Sequence, residues 1–264
     1  IRYLLMKRIK KNPLIFITND DGPNTIGLNK LIDIVKEITT NYIVVIPEKN
    51  CSGFGHSITL SRPLRLNKVS DKFYTCDGTP TDCVMLGFFK ILKGNPDLLL
   101  SGINMGENLA DDATYSGTLS AALEGSLRNI KSVALSKVIS KNNNENNWSS
   151  VDDYLKPIIL NILKNNVHKN NFFNINFPNI SSNEVRNIKL THLANRKPVG
   201  NYIVRKDAKN IPYYWLTTER SIEEESLGSD IWALKNNYIS ITPLNSDMTE
   251  NVCFNNYKDQ FNKN

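Results

Sequence analysis

Residues that mark zinc-finger, disulfide-bonded and membrane proteins are scarce in this chain of 264 residues. It has 4 cysteines and 3 histidines. Cys51, Cys76, Cys83 and Cys253 include no C-x-x-C pair, and no His stands near them at zinc-finger spacing, which excludes a zinc finger or ribbon. Four scattered thiols in a chain this long point to a reducing compartment, so the expected location is cytoplasmic. No apolar run approaches the roughly 18 to 20 residues of a membrane span, and no membrane partner is expected. The basic stretch from Ile1 to Asn12 lacks the apolar core of a signal peptide and reads as a short extension ahead of the first strand. The net charge of +6, from 32 Lys+Arg against 26 Asp+Glu, comes without any block of five or more like charges. It describes a Lys-rich surface, and no nucleic-acid polymer is expected as a partner.

Several phosphate and hydrolase motifs are absent as well. There is no G-x-x-x-x-G-K-[ST], which excludes a Walker-type loop. Gly53-Phe54-Gly55 lacks the third glycine of the dinucleotide fingerprint, because residue 58 is Ile. No G-x-S-x-G elbow and no H-E-x-x-H pair occur. His168 and His192 read as surface or packing residues, whereas His56 lies in a loop that carries chemistry.

What is present is a globular composition, 40% hydrophobic and 22% charged, with Asn at about one residue in seven as background bias. Leu14 to Thr18 is a short apolar run suited to a strand buried on both faces, and Asn19-Asp20-Asp21-Gly22-Pro23 is a dense turn signal. Ile26, Leu28, Leu31, Ile32, Ile34, Val35 and Ile38 then recur at helical spacing, and Tyr42 to Ile46 is a second strand ending at Pro47. This β-loop-α-β order predicts a parallel sheet. Further strands are expected at Phe73–Cys76, Asp97–Ser101, Val133–Leu135, Phe172–Phe177 and Tyr238–Thr242. Helices are expected at Thr81–Leu92, Ser116–Arg128 and Asp152–Leu163, with Pro157 in the first turns of the last. Beyond residue 185 the pattern changes, and the aromatics Tyr202, Tyr213, Tyr214 and Trp215 suggest a β-hairpin. The fold class is α/β with a β-rich appendage.

In open parallel sheets, ligands bind outside the carboxyl ends of the strands. Asp20-Asp21 follows the first strand, Ser52-Gly53-Phe54-Gly55-His56-Ser57 the second, and Ser101-Gly102-Ile103-Asn104-Met105-Gly106-Glu107-Asn108 the strand near residue 100. Adjacent carboxylates repel unless a cation or a proton neutralises them. Oxygen donors from Asp, Ser and Asn favour a hard divalent ion such as Mg²⁺ or Mn²⁺. Taken alone, Asp20 as a helix cap and Asp21 as a solvated turn residue is the simpler reading; three loops meeting at one edge shift the balance to the metal. Tyr115-Ser116-Gly117-Thr118 opens a helix, where free N–H groups and hydroxyls suit a phosphate, although a plain N-cap is the simpler reading.

Six blocks carry a resemblance: Leu14 to Gly22 (LIFITNDDG), Val45 to Thr59 (VIPEKNCSGFGHSIT), Gly78 to Val84 (GTPTDCV), Pro96 to Asn104 (PDLLLSGIN), Asp111 to Gly125 (DDATYSGTLSAALEG) and Tyr238 to Leu244 (YISITPL). In this order they resemble the SurE family of metal-dependent 5'/3'-nucleotidases. The resemblance implies a Rossmann-like three-layer core with a mostly parallel sheet, a protruding β-hairpin arm and a C-terminal tail. It implies one domain over 1–264, with a core at about 13–185 and 229–246, the arm at about 186–228 and an exchange tail at about 247–264. It also implies a homodimer or homotetramer formed by exchanged C-terminal elements. By similarity, Asp20, Asp21, Ser52 and Asn104 would hold one divalent metal ion per subunit, with Asp20 and Asp21 catalytic. Asn19, Gly53, Asn108, Ser116, Gly117 and Thr118 would bind the phosphate of a nucleoside monophosphate. The chain departs from the family at Cys51, where Arg is common, at Glu107 in place of Pro, at Gly228 to Trp232, and at Asn237 in place of Gly. These departures leave the four ligands intact.

The expected reaction is hydrolysis of nucleoside 5'-monophosphates, and of 3'-monophosphates by the family's range, through a metal-activated water. A covalent aspartyl-phosphate on Asp20 stays open at this point, as does the general acid, for which His56 is the one histidine near the site. Two other readings compete. A haloacid-dehalogenase-type phosphatase needs D-x-D after its first strand, whereas these carboxylates are adjacent. A non-catalytic nucleotide-binding module would not need four intact ligands.

Overall fold

The computed structural model describes residues 10–140, 146–168, 170–196, 201–217 and 226–262. Its centre is β1 (Ile15–Thr18), whose four residues are all buried, as its unbroken apolar run requires. Thr25 caps the next helix, α1 (Ile26–Lys36), by accepting from the Leu28 N–H, and the face bearing Leu28, Leu31 and Val35 is buried. The chain returns as β2 (Tyr42–Pro47), parallel to β1. β3 (Leu66–Ser70) and β4 (Phe73–Cys76) form an antiparallel pair, and β4 lies parallel to β2. A capping box of Thr79 and Asp82 opens α2 (Pro80–Leu86), which runs into a π-helical turn at Gly87–Ile91.

The chain then crosses to the other side of β1. β5 (Leu98–Met105) pairs parallel with β1, Thr18 opposite Ser101. The short α3 (Asp112–Tyr115) and α4 (Gly117–Leu127) follow, then β6 (Ser132–Lys137), α5 (Ser149–Lys164) and β7 (Asn171–Phe177). After β8 (Asn187–Leu190), β9 (Asn201–Lys206) and β10 (Pro212–Thr217) pair antiparallel as a separate two-stranded ribbon. α6 (Asp230–Lys235), β11 (Tyr238–Asn245) and α7 (Asn251–Phe261) complete the described chain. The main sheet runs β3-β4-β2-β1-β5-β6-β7-β11-β8. It is mostly parallel and covered on both faces by apolar clusters. One lies under α1 and α5, around Ile17, Leu31, Leu100, Leu155 and Ile175; the other lies under α2 and α4, around Phe16, Val45, Cys83, Leu99 and Ala121. This is the α/β parallel sheet that the alternation of elements predicts, in the three-layer form that the resemblance implies.

Four expectations need correction. Pro157 is not in the first turns of its helix, because α5 begins at Ser149 and Pro157 is interior. Residues 153 and 157 are both exposed, so the carbonyl that Pro157 leaves without a donor faces water. Strand β11 does not stop before Pro243: it continues opposite Phe173 of β7 to Asn245. Its pairing with β8 ends at Ile241, so Pro243 lies where one side of the strand is free, a position that tolerates a missing N–H. The arm does not start at 186, since β8 is an edge strand of the main sheet. The helix expected at Thr81–Leu92 is α-helical only over Pro80–Leu86 before its π-helical turn. In the tail, Glu250 caps α7 through the Val252 and Cys253 N–H groups. All four cysteines are free thiols, as expected. No helix among the described residues is long and apolar enough to cross a membrane. Asn237 has φ +63°, the left-handed conformation that explains how Asn stands at a position expected to be Gly.

Candidate active site

Strand order reverses direction at β1: β2 and β4 lie on one side and β5, β6 and β7 on the other. A crevice opens outside the carboxyl ends of strands at such a switch point. The residues after β1 are Asn19, Asp20 and Asp21, and those closing β5 are Asn104 and Met105. Gly22 turns the chain with φ +82°, and a Cβ there would stand 3.2 Å from the carbonyl carbon of Lys49, so the turn favours glycine on both counts. Asn19 braces this turn by donating its Nδ2 to the Gly22 carbonyl at 2.7 Å.

Hydrogen bonds bring the four segments together. The Cys51 N–H donates to the Asp20 carbonyl at 2.7 Å, which lays the Ser52-Gly53 loop against the two aspartates. The Met105 N–H donates to Asp21 Oδ2 at 3.3 Å, which brings the end of β5 to the same place. Thr118 of α4 donates its hydroxyl to Asp20 Oδ1 at 2.6 Å. The Gly55 N–H donates to the Tyr115 carbonyl at 3.0 Å, closing the ring between the second loop and the start of α4. Gly117 makes this approach possible: a Cβ there would lie 2.8 Å from Asp20 Cβ and 3.0 Å from its Oδ2.

The electrostatics are unbalanced. Asp20 is buried, and burial pushes its carboxyl up to about 6; the Asp21 charge adds to the rise and the Thr118 hydroxyl opposes it. Burial also raises Asp21, against the Met105 N–H. Among the described residues, neither carboxylate has an ion pair with Lys, Arg or His. Two adjacent carboxylates with only neutral donors fit a cation. The remaining donors are neutral oxygens: Asn104 commits its Nδ2 to the Gly106 carbonyl at 2.7 Å, which leaves Oδ1, and Ser52 is exposed beside them. Among the described residues no group of three or more His, Cys, Asp or Glu side chains could hold a metal. An ion here would therefore rest on two carboxylates and neutral oxygens, a donor set for a hard cation.

The residues anticipated for phosphate divide into two groups. Gly53 (φ +77°) has open space around its Cα, and the N–H groups of Gly117 and Thr118 lie in the first turn of α4. Ser116 is the N-cap, accepting from the Leu119 N–H at 3.2 Å, and the Thr118 hydroxyl is already given to Asp20. Asn108 faces inward: its Nδ2 donates to Ser136 at 2.9 Å, and its carbonyl accepts from Asn174 and Asn176. Asn19 and Asn108 thus hold loops in place. His56 points its Nε2 to Glu124 Oε2 at 3.0 Å, with Arg128 on the other oxygen of that carboxylate. His192 bonds Ser226, in keeping with a packing role.

Arg196 and Asp230 could not be picked out by sequence reasoning, since each reads as an ordinary surface charge. Arg196 is buried, with Nε 2.6 Å from Asp111 Oδ1 and Nη2 2.8 Å from Asp112 Oδ2. Asp230 accepts from the Ala110 and Ala194 N–H groups. Together they fix the 109–112 segment that leads into α3 and the Ser116 cap.

The family model for Survival protein SurE matches residues 15–199. A 5'-nucleotidase SurE of Methylocella silvestris is 38% identical over 238 residues, covering 89% of this chain and 94% of that protein. One from Paramagnetospirillum magneticum is 40% identical over 236 residues, covering 89% and 90%. The crystal structure of SurE protein from Aquifex aeolicus superposes with a TM-score of 0.81 at 36% identity, over 94% of this chain and 99% of that one. With fold, loop order and sequence in agreement, the chain belongs to the SurE family.

Proposed function

We propose that this protein hydrolyses nucleoside 5'-monophosphates to nucleoside and phosphate with the help of one divalent cation, Mg²⁺ or Mn²⁺, per subunit. Family membership makes it a phosphoric monoester hydrolase, and relatives at 38 to 40% identity carry the name 5'-nucleotidase. The observation that carries the reading is the pair of a buried Asp20 and a half-buried Asp21, without a cationic partner among the described residues, beside the Gly53 loop and the first turn of α4.

Asp20, Asp21, Ser52 and Asn104 would hold the cation. When bound, it supplies positive charge to a phosphoryl oxygen and lowers the pKa of a water at the site. The chain's own residues do the rest. The Gly53 and Gly117 N–H groups present donors to the phosphate, the Thr118 N–H turns to the Asp20 carboxyl, and the positive end of α4 favours the phosphate charge. Thr118 fixes the Asp20 carboxylate through Oδ1, which leaves Oδ2 to orient an attacking water. Phosphoryl transfer asks mainly for such positioning and charge stabilisation. His56 is engaged with Glu124, and its role is to tether the 52–57 loop to α4 rather than to protonate the leaving group.

The four free thiols fit a cytoplasmic enzyme. Exposed Val252, Phe254, Tyr257 and Phe261 on α7 support a homodimer or homotetramer in which C-terminal elements are exchanged. The direct test is phosphate release from 5'-AMP and 3'-AMP with Mg²⁺, Mn²⁺ or chelator. Turnover only with a divalent ion, and with 5'-AMP, is expected; full activity in chelator would sink the reading.

A further inference from the structure

The phosphate site accounts for only one end of a nucleotide. We propose that Phe54 and Tyr115 form an aromatic clasp that stacks on the nucleobase. The site then selects nucleotides over simple sugar phosphates by ring contact rather than by reading base identity. This inference rests on the phosphomonoesterase reading above and names what that site recognises beyond phosphate.

Both rings stand within two residues of the proposed phosphate donors in sequence. Phe54 follows Gly53, and Tyr115 precedes Ser116 and Gly117. They belong to different loops, and the loops are joined: the Gly55 N–H donates to the Tyr115 carbonyl at 3.0 Å, and the Phe54 N–H donates to Cys51 at 3.3 Å. Phe54 is 55% exposed and Tyr115 60% exposed. Neither ring stacks on another aromatic or joins an apolar cluster among the described residues. A single exposed aromatic is ordinary on a protein surface. Two of them on hydrogen-bonded loops, Phe54 one residue and Tyr115 two residues from an amide proposed for the phosphate, are a different matter. Consecutive Cα atoms are about 3.8 Å apart, so a phosphate at Gly53 and Gly117 puts the nucleoside within reach of both rings.

The chemistry of the lip also sets how the base is read. Every nucleobase has a π-face, and stacking on Phe or Tyr tolerates all of them. His56, on the same loop as Phe54, is engaged with Glu124. Purines, with the larger ring area, are favoured modestly over pyrimidines. An ester without a base meets neither ring.

The test compares kcat/KM for AMP, GMP, CMP and UMP with that for ribose 5-phosphate, using Mn²⁺-loaded enzyme. AMP is expected to exceed ribose 5-phosphate by about tenfold or more. Phe54→Ala and Tyr115→Ala should each cut that ratio several-fold, mainly through KM for AMP. Phe54→Trp and Tyr115→Phe should keep it. Equal kcat/KM for AMP and ribose 5-phosphate in the unaltered enzyme overturns the clasp and leaves the phosphomonoesterase standing. Phosphate release from none of these esters overturns both. Light scattering on the alanine variants separates the remaining occupant: a change of mass with an unchanged substrate ratio would assign the rings to an interface between copies and overturn the clasp.

Discussion

The edge of the sheet at β1 and β5 and the region formed by the β9–β10 ribbon and α7 are opposites in construction. At the edge, Asp20 is buried and each loop is tied to its neighbour by a backbone amide or a buried hydroxyl. In the ribbon, Tyr202, Tyr214, Trp215 and Leu216 are exposed, and among the described residues β9 and β10 pair only with each other. The α7 residues are exposed along the helix. One region is held together by bonds within a single chain. The other presents large apolar side chains to water. The proposed centre, built from three post-strand loops and a helix start, is therefore positioned by contacts that the single chain makes with itself.

The sharpest way to break this contrast is at Asp20. Asp20→Asn removes one of the two charges facing the cation and should cut kcat/KM for AMP by about 10³-fold, at the upper end of the loss of a single transition-state charge contact. Undiminished turnover in steady-state assays would remove Asp20 from the mechanism. Next in size is Gly117→Ala. Its Cβ would press on Asp20 at 2.8 Å, and a displacement of that order should cost about 10²-fold in kcat/KM while thermal unfolding still shows a folded protein.

A third effect is on stability and runs in the opposite direction to activity. The Asp20 carboxyl is raised in the folded state from 3.8 to about 6. Between those values the folded state holds more protons than the unfolded one, so its contribution to stability is present at low pH and is lost as pH rises through 6. In metal-free protein, Asp20→Asn should therefore raise stability at pH 7.5 by up to about 3 kcal/mol, and the gain should vanish near pH 4. Denaturant titrations in chelator at the two pH values measure this. Adding Mn²⁺ should reverse the ranking.

The smallest expected effect belongs to the exposed region. Deleting residues 247–264 should leave AMP hydrolysis within about two- to threefold while lowering the mass in solution, since surface changes away from the site alter little within one chain. Light scattering together with the phosphate assay checks it. A loss of activity as large as that of Asp20→Asn would dissolve the distinction between the two regions.

The same contrast explains what could be read from the sequence. The run Leu14 to Thr18 ahead of Asn19-Asp20-Asp21-Gly22 is legible because a strand buried on both faces is apolar throughout and its turn must be polar. The loops after β2 and β5 follow by the same rule. The strands β3 and β8 gave no such signal, since Asn67, Lys68, Asn187 and Lys189 are exposed on sheet edges and carry no apolar period. Pro243 hid the second half of β11, whose one-sided pairing is visible only in the sheet. Asn108 looked like a ligand because an Asn in a Gly-rich loop and an Asn pinned to Ser136 are identical in sequence. Buried Arg196 was unreadable for the same reason, because its partners Asp111 and Asp112 lie 85 and 84 positions away.

The place of β11 in the sheet has a consequence for how the chain is made. It fills the space between β7 and β8, antiparallel to one and parallel to the other. While the chain is being synthesised, β7 is finished long before residue 238 emerges, and until then its outer row of amides and carbonyls has no neighbour. An unpaired strand edge on a growing polypeptide invites the wrong partner. The Asn174 and Asn176 side chains that hold Asn108 stand on that same strand. Strand β11 thus decides when the strand that anchors the Asn108 loop gains its second neighbour.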